Sequence, residues 1–167
     1  PLGKALYMVD MDAGTRTVVG SEGQGPEEYL QPDAVWPLPG DSTLLVDLGN
    51  GRLVALGPGL GFGPTSPISL ALPQGVDGRG NVYARAMGGP GAMMEDSAAI
   101  LRINRATSVI DEVASFKLQE RKRIESGSAG NQNVSITQVP LSPEDAWGVG
   151  PDGSIAIARA GDYHVDW

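Results

Sequence analysis

His164 is the only histidine in this 167-residue chain, and there is no cysteine. Those two counts narrow the chemistry the side chains can do. They remove thiol nucleophiles, thiolate metal sites and disulfides, rule out a His-rich metal centre, and leave a Ser-His-Asp arrangement one possible base. No Gly-x-Ser-x-Gly elbow accompanies His164. In the run Tyr163 to Val165 it reads as an ordinary strand residue. The acidic pairs Glu27/Glu28, Glu95/Asp96, Asp111/Glu112 and Glu144/Asp145 could act as acids or bases only if folding converged two of them, because neighbours on a strand point to opposite faces. Asp10-Met11-Asp12-Ala13-Gly14 begins like a calcium loop, but its twelfth position is Ser21 where a bidentate Glu is needed. It reads instead as a hairpin turn, and no metal or cofactor is assigned. The glycine-rich runs at 57–64 and 88–91 lack the Lys-Ser/Thr of a phosphate loop and are read as connectors. Catalytic residues are therefore not expected.

Charge narrows the partners. Twelve Lys and Arg against twenty Asp and Glu give a net charge of −8, with no basic stripe to track a phosphate backbone, so no nucleic acid is expected. The one basic cluster, Arg121, Lys122 and Arg123, sits between Glu120 and Glu125 and reads as a solvated loop. No apolar run reaches the roughly 18 residues of a membrane span, so no transmembrane segment is expected in this chain. Pro1-Leu2-Gly3-Lys4 lacks the apolar stretch of a signal peptide. A cytosolic protein, or one whose targeting segment lies outside these residues, is expected on that ground. Asn133-Val134-Ser135 matches the glycosylation acceptor pattern, which matters only on a glycosylating route.

The elements expected to carry these residues are short strands. Runs such as Ala5 to Val9, Ala34 to Leu38, Thr43 to Asp47, Arg52 to Leu56, Ile68 to Leu72, Asn81 to Arg85, Ala98 to Ile103, Ser108 to Val113, Ala146 to Val149 and Ser154 to Ala158 are mostly bounded by Gly, Pro, Asp or Asn. With 24 glycines and 13 prolines, turns must be frequent. The nearest helical candidate, Phe116 to Ile124, is as well read as a loop. Three segments repeat a polar turn feeding an apolar strand: Pro39 to Asp47, Val76 to Arg85 and Gly150 to Ala158. Aligned on Asp41, Arg79 and Asp152, they stand 38 and 73 residues apart. The first interval suits one β-propeller blade, and the second suits two blades or one blade carrying an insertion, of which the insertion is favoured. The insertion is placed at 115–143, a long polar inter-blade loop that includes Gly127 to Asn133. It supplies the candidate interaction loop: Arg121, Lys122, Arg123, Asn131, Gln132 and Asn133. Met93 and Met94 form a candidate apolar contact.

Gly23-Gln24-Gly25-Pro26-Glu27-Glu28-Tyr29-Leu30-Gln31-Pro32 resembles the G-x-G-P-x-E-[FY]-x-x-P segment of bacterial six-bladed β-propellers, distant relatives of NHL-repeat and TolB-like propellers. Ala34 to Ser42 and Val46 to Leu53 resemble that family's inner strand, P-G-D turn and D-x-G-N-x-R-[LF] hairpin, and Ala146 to Gly153 resembles the opening of another blade. The resemblance implies an all-β fold of antiparallel four-stranded blades, a single partial domain over 1–167, and about half of a six-bladed ring. Since family members are about twice as long, it also implies a fragment, an incompletely represented protein, or a piece whose open faces another chain covers.

The expected function is a non-catalytic scaffold or protein-binding module, an accessory structural subunit of a larger extracytoplasmic or membrane-associated complex. Membrane association would then be peripheral, through a partner. A periplasmic or cell-envelope location is implied by the resemblance alone. Two alternatives stand beside it: a metal-dependent propeller enzyme such as a lactonase-like hydrolase or a lyase, and an envelope ligand-binding sensor stacking a sugar or peptide on Trp36, Trp147 or Tyr29.

Overall fold

The computed structural model describes residues 5–68, 71–86, 95–128 and 131–167. Its described residues contain no α-helix, only strands, turns and one short 3-10 turn at Pro58–Leu60. The chain comprises two compact units, Pro1–Ser69 and Leu70–Trp167.

In the first unit β1 (Leu6–Asp10) and β2 (Thr15–Val19) form an antiparallel hairpin. Asp10 Oδ1 accepts the N–H groups of Asp12 and Ala13 at 2.9 Å each, which closes the turn read from Asp-Ala-Gly. Two short strands, β3 (Ser21–Glu22) and β4 (Glu28–Tyr29), then bridge in parallel. A four-stranded antiparallel sheet follows in chain order: β5 (Pro32–Leu38), β6 (Ser42–Asp47), β7 (Arg52–Leu56) and β8 (Phe62–Pro67). The expected connector at 57–64 thus runs into strand β8. That strand lies at the sheet edge, where Pro64 and Pro67 remove no ladder bond the sheet needs. The β5–β6 turn uses left-handed backbone at both Gly40 and Asp41, φ 71° and 54°, positions that suit Gly and Asp. Val19, Tyr29, Leu45, Val54 and Leu56 form the core, with Leu6, Leu60 and Phe62 packed against it. All four residues from Leu44 to Asp47 are buried, so β6 is covered on both faces.

The second unit opens with another antiparallel sheet in chain order: β9 (Ala71–Val76), β10 (Val82–Ala86), β11 (Ser97–Ile103) and β12 (Ile110–Lys117). Strand β9 lies later than the expected run from Ile68 to Leu72. A register shift opposite Tyr83 and Ala84 lets it carry Pro73 and Gly75. Next come β13 (Arg121–Ser128) and β14 (Asn131–Gln138), an antiparallel pair, and then β15 (Ala146–Val149), β16 (Ile155–Arg159) and β17 (His164–Asp166) in a three-stranded sheet. Tyr83, Ile100, Phe116, Leu118 and Ile157 make the core, flanked by Trp147, Val149 and Ile155. The Phe116 and Trp147 rings meet at 6.0 Å, tilted by 49°.

The three repeats found in the sequence occupy one topological position. Asp41, Arg79 and Asp152 each lie in the turn joining the first and second strands of their sheet. The last two turns share their backbone bonding. Asp77 N–H reaches Asn81 O at 3.1 Å and Gly150 N–H reaches Ser154 O at 2.9 Å, with Gly80 and Gly153 both at positive φ.

Much of the segment 115–143, expected as a polar loop, is strand among its described residues. Residues up to Lys117 finish β12, and Arg121–Ser128 and Asn131–Gln138 supply the paired strands β13 and β14. Phe116 to Ile124 contains no helix for the same reason: Phe116 and Leu118 are core residues of an extended segment.

Candidate interaction surface

The side chains that carry the propeller resemblance are spent on backbone. Asp47, at the end of β6, is fully buried. Its Oδ1 accepts the N–H groups of Leu30 and Gln31 at 3.1 and 3.0 Å, and its Oδ2 accepts from Asn50 Nδ2 at 2.7 Å and Arg52 Nε at 3.3 Å. Arg52 Nη2 donates onward to the carbonyls of Gly25 and Glu28, and Asn50 Nδ2 to that of Gly23. The Glu28 carboxylate turns back onto Gly25 N–H at 2.7 Å. Tyr29, a buried residue, accepts the Leu6 N–H on its hydroxyl at 2.8 Å. Gly49 passes so close that a Cβ would sit 2.8 Å from Gln31 N. Burial alone would raise the Asp47 pKa. The Gln31 N–H, the Asn50 amide, the Leu30 N–H and Arg52 outweigh it and hold the carboxyl below its ordinary value. This network fastens the 23–31 segment to the β6–β7 turn, and its donors and acceptors are occupied.

Two more buried aspartates do similar work in the second unit. Asp77 takes the N–H groups of Arg79 and Asn81 on Oδ1 at 2.9 Å each, and the Asn81 side chain at 2.8 Å and the Tyr83 hydroxyl at 3.3 Å on Oδ2. The same hydroxyl lies 3.4 Å from Gly153 O, and Gly78 N–H donates to Pro151 O at 2.7 Å. These contacts tie the β9–β10 turn to the β15–β16 turn. Asp145 accepts from Lys117 N–H at 2.9 Å, Ala160 N–H at 3.0 Å and Arg159 Nη1 at 3.0 Å. Burial opposes ionisation at both sites, and hydrogen bonds override it, so both pKa values fall below the ordinary one.

His164 lies in β17 with each ring nitrogen against a carboxylate, Nδ1 to Asp162 at 2.6 Å and Nε2 to Asp166 at 3.0 Å. The Asp162 hydrogen bond is the main reason its pKa rises above 6.5. Asp166 also receives Arg159 Nε at 2.6 Å. The two carboxylates lie on opposite sides of the ring, an arrangement that favours an imidazolium over a base awaiting a proton. Among the described residues no group of three or more His, Cys, Asp or Glu side chains is placed to hold a metal ion, and no helix is long and apolar enough to cross a membrane.

The expected interaction residues fall at different ends of the β13–β14 arm. Arg121, Lys122 and Arg123 lie at its base, opposite Gln138, Thr137 and Ile136. Asn131, Gln132 and Asn133 lie toward its tip, opposite Ser128, Gly127 and Ser126. The arm does not bring the two groups together. Arg123 is taken up by Glu125 at 2.7 Å, a pair more than half exposed on each side and worth little to stability. The base is pinned: Val139 N–H donates to Glu120 O at 2.8 Å, Glu120 N–H to Ser142 Oγ at 3.0 Å, and Gln119 Nε2 to Val139 O at 3.2 Å. Beyond it, Ile124, Val134 and Ile136 stand 45%, 47% and 40% exposed. Among the described residues this is the one sheet with no buried member. Met93 and Met94 lie outside the described residues. Of the aromatics considered for stacking, Tyr29 is in the core, and Trp36 and Trp147 are half-buried.

Compared with models of known protein families and with curated proteins, the chain matches none.

Proposed function

We propose that this chain is a set of β-propeller blades acting as a non-catalytic protein-binding scaffold, an accessory subunit docked through its β13–β14 arm on a larger envelope complex. The observation that carries the binding role is the arm itself. It is two ladder-paired strands anchored at the base, with β-branched residues exposed on both faces. An isolated hairpin of this kind is marginal in water, and a partner's surface would supply the burial it lacks. The propeller reading draws support from consecutive four-stranded meanders, from first turns that coincide at Asp41, Arg79 and Asp152, and from strands β6 and β10 with neighbouring residues buried on both faces. The non-catalytic reading draws support from the three buried carboxylates, each already engaged by hydrogen-bond donors. The envelope location rests on the resemblance of Gly23 to Leu53 to exported bacterial propellers.

The test is affinity capture from envelope extracts with the intact chain and with a variant whose residues 122–137 are replaced by a tight turn. Loss of a defined, stoichiometric partner on shortening the arm supports the proposal. Capture unaffected by shortening overturns the role of the arm. Turnover in a lactonase or esterase screen together with stoichiometric metal overturns the non-catalytic reading.

A further inference from the structure

We propose that the free edge of β14 pairs antiparallel with β14 of a second copy of this chain about a two-fold axis at Ser135, joining two arms into one four-stranded sheet. The inference stands on the geometry of the arm and does not depend on the propeller reading.

Open sheet edges are ordinarily protected by charge, proline or shortness. Among the described residues the other sheet-edge strands follow that rule: β1 ends in Asp10, β2 carries Arg16, and β3 and β4 are two residues long. Strands β5, β8 and β9 contain proline, β12 carries Asp111, Glu112 and Lys117, β17 carries His164 and Asp166, and β15 is only four residues long. Strand β13 carries Arg121, Lys122, Arg123 and Glu125. Strand β14 reads Asn-Gln-Asn-Val-Ser-Ile-Thr-Gln over eight residues, with no charge, proline or glycine. Among the described residues it pairs only with β13. It is a long, neutral edge that carries Val134, Ile136 and Thr137 and has no protection.

Its sequence selects the partner and the register. Val134 and Ile136 share a face because side chains alternate along a strand. Antiparallel pairing about Ser135 sets Val134 opposite Ile136 of the second copy, and Ile136 opposite its Val134. Four half-exposed aliphatic side chains then close into one patch. On the other face Asn133 meets Thr137 and Ser135 meets its own counterpart, so no like charges oppose one another. Pairing about Val134 would instead place Ile136 opposite Gln132. The joined sheet ends in two β13 strands, whose charges oppose further addition, so the assembly closes as a two-fold dimer rather than growing.

Charge distribution agrees. The chain is −8 overall, whereas the arm carries three cations and one anion. Antiparallel pairing lays the tip of each arm beside the base of the other, so the two arm bases stand at opposite ends of a sheet roughly 27 Å long. That separation exceeds the screening length of about 8 Å at physiological salt. Pairing eight residues per copy buries less than the roughly 1,200 Å² at the lower limit of stable interfaces, so the dimer is concentration-dependent.

Sedimentation velocity from low micromolar to submillimolar chain tests the proposal. The expected result is a mass rising from 17.3 kDa toward twice that value, and an Ile136→Lys variant that keeps its circular dichroism spectrum but stays monomeric. The register is read by oxidising single-cysteine variants of a chain that has none of its own. Ser135→Cys should form a disulfide-linked dimer, and Gln138→Cys should not. A monomer at every concentration, a dimer indifferent to Ile136→Lys, equal cross-linking of the two cysteine variants, or species larger than a dimer would each overturn it.

Discussion

Replacing Asp47 with Asn changes one atom in the first unit and tests the fastening network directly. In the native chain the two carboxylate oxygens receive four donors: two backbone N–H groups, the Asn50 amide and Arg52 Nε. An asparagine can keep its carbonyl toward Leu30 and Gln31, but its own NH2 then faces Asn50 Nδ2 and Arg52 Nε, donor against donor. Each buried donor left without a partner costs about 1–3 kcal/mol. Two such losses, with Asn50 retaining its bond to Gly23 and Arg52 its bonds to Gly25 and Glu28, amount to about 3 kcal/mol. Asp47→Ala, which strands all four, should cost about 3–5 kcal/mol. For a chain of this length about 3 kcal/mol lowers the midpoint of thermal unfolding by roughly 6–12 °C. Circular dichroism melting of the transition that includes the first unit reads this shift. The pH dependence supplies a second check. Asp47 has a folded pKa below its ordinary value of 3.8, so its contribution is fully present above that value and is lost as pH falls through the folded pKa. The stability gap between native chain and Asn variant should therefore be widest near neutrality and close in acid. A shift under about 2 °C at neutral pH, or a gap that widens on acidification, would refute the assignment of Asp47 as the fastener.

Gly78→Ala should destabilise the second unit by about 1–3 kcal/mol, because the new Cβ would lie 2.7 Å from Pro151 O, the carbonyl that Gly78 N–H already contacts; urea titration measures it, and an unchanged midpoint contradicts the close approach. Tyr83→Phe should cost about 1 kcal/mol, less than either aspartate change, since its hydroxyl bonds at 3.3 and 3.4 Å are long. A loss as large as that of Asp47→Ala would mean the hydroxyl does more than bridge two turns. His164, the sole imidazole, can be titrated by NMR without assignment ambiguity. Its midpoint should lie above 6.5 and move back toward that value in Asp162→Asn. The raised pKa means its stabilising effect is present below 6.5 and disappears as pH rises through the folded value. A midpoint at or below 6.5 would show that the Asp162 contact is not kept in solution.

The turns were legible in the sequence because their chemistry is local. Gly40 and Asp41 take left-handed backbone, and Asp77 with Asn81 and Asp152 with Ser154 satisfy backbone groups within a few residues, so type and spacing suffice to find them. The arm was not legible for the opposite reason. A strand read from sequence shows itself by alternation between core and solvent, and β13–β14 has no core side. Ser, Gly, Asn and Gln there look like loop composition. The signal that was present lay in the β-branched residues Ile124, Val134, Ile136 and Thr137, which stand in the ladder opposite Ser135, Glu125, Arg123 and Lys122. Strand β8 was hidden by its two prolines, which only an edge tolerates. Asp47, Asn50 and Arg52 were visible as a motif, but their task was not. The backbone groups they satisfy, at Gly23, Gly25, Glu28, Leu30 and Gln31, lie 16 to 27 residues away in the chain.

The buried aspartates differ in what balances their charge. Asp47 and Asp145 each face an arginine, whereas every donor to Asp77 is neutral: two peptide N–H groups, an amide and a phenol. Dipoles fixed by the fold cannot be displaced by dissolved ions as a counter-charge can be screened. Molar salt should therefore leave the join between the β9–β10 and β15–β16 turns intact while it screens the arginine pairs of Asp47 and Asp145.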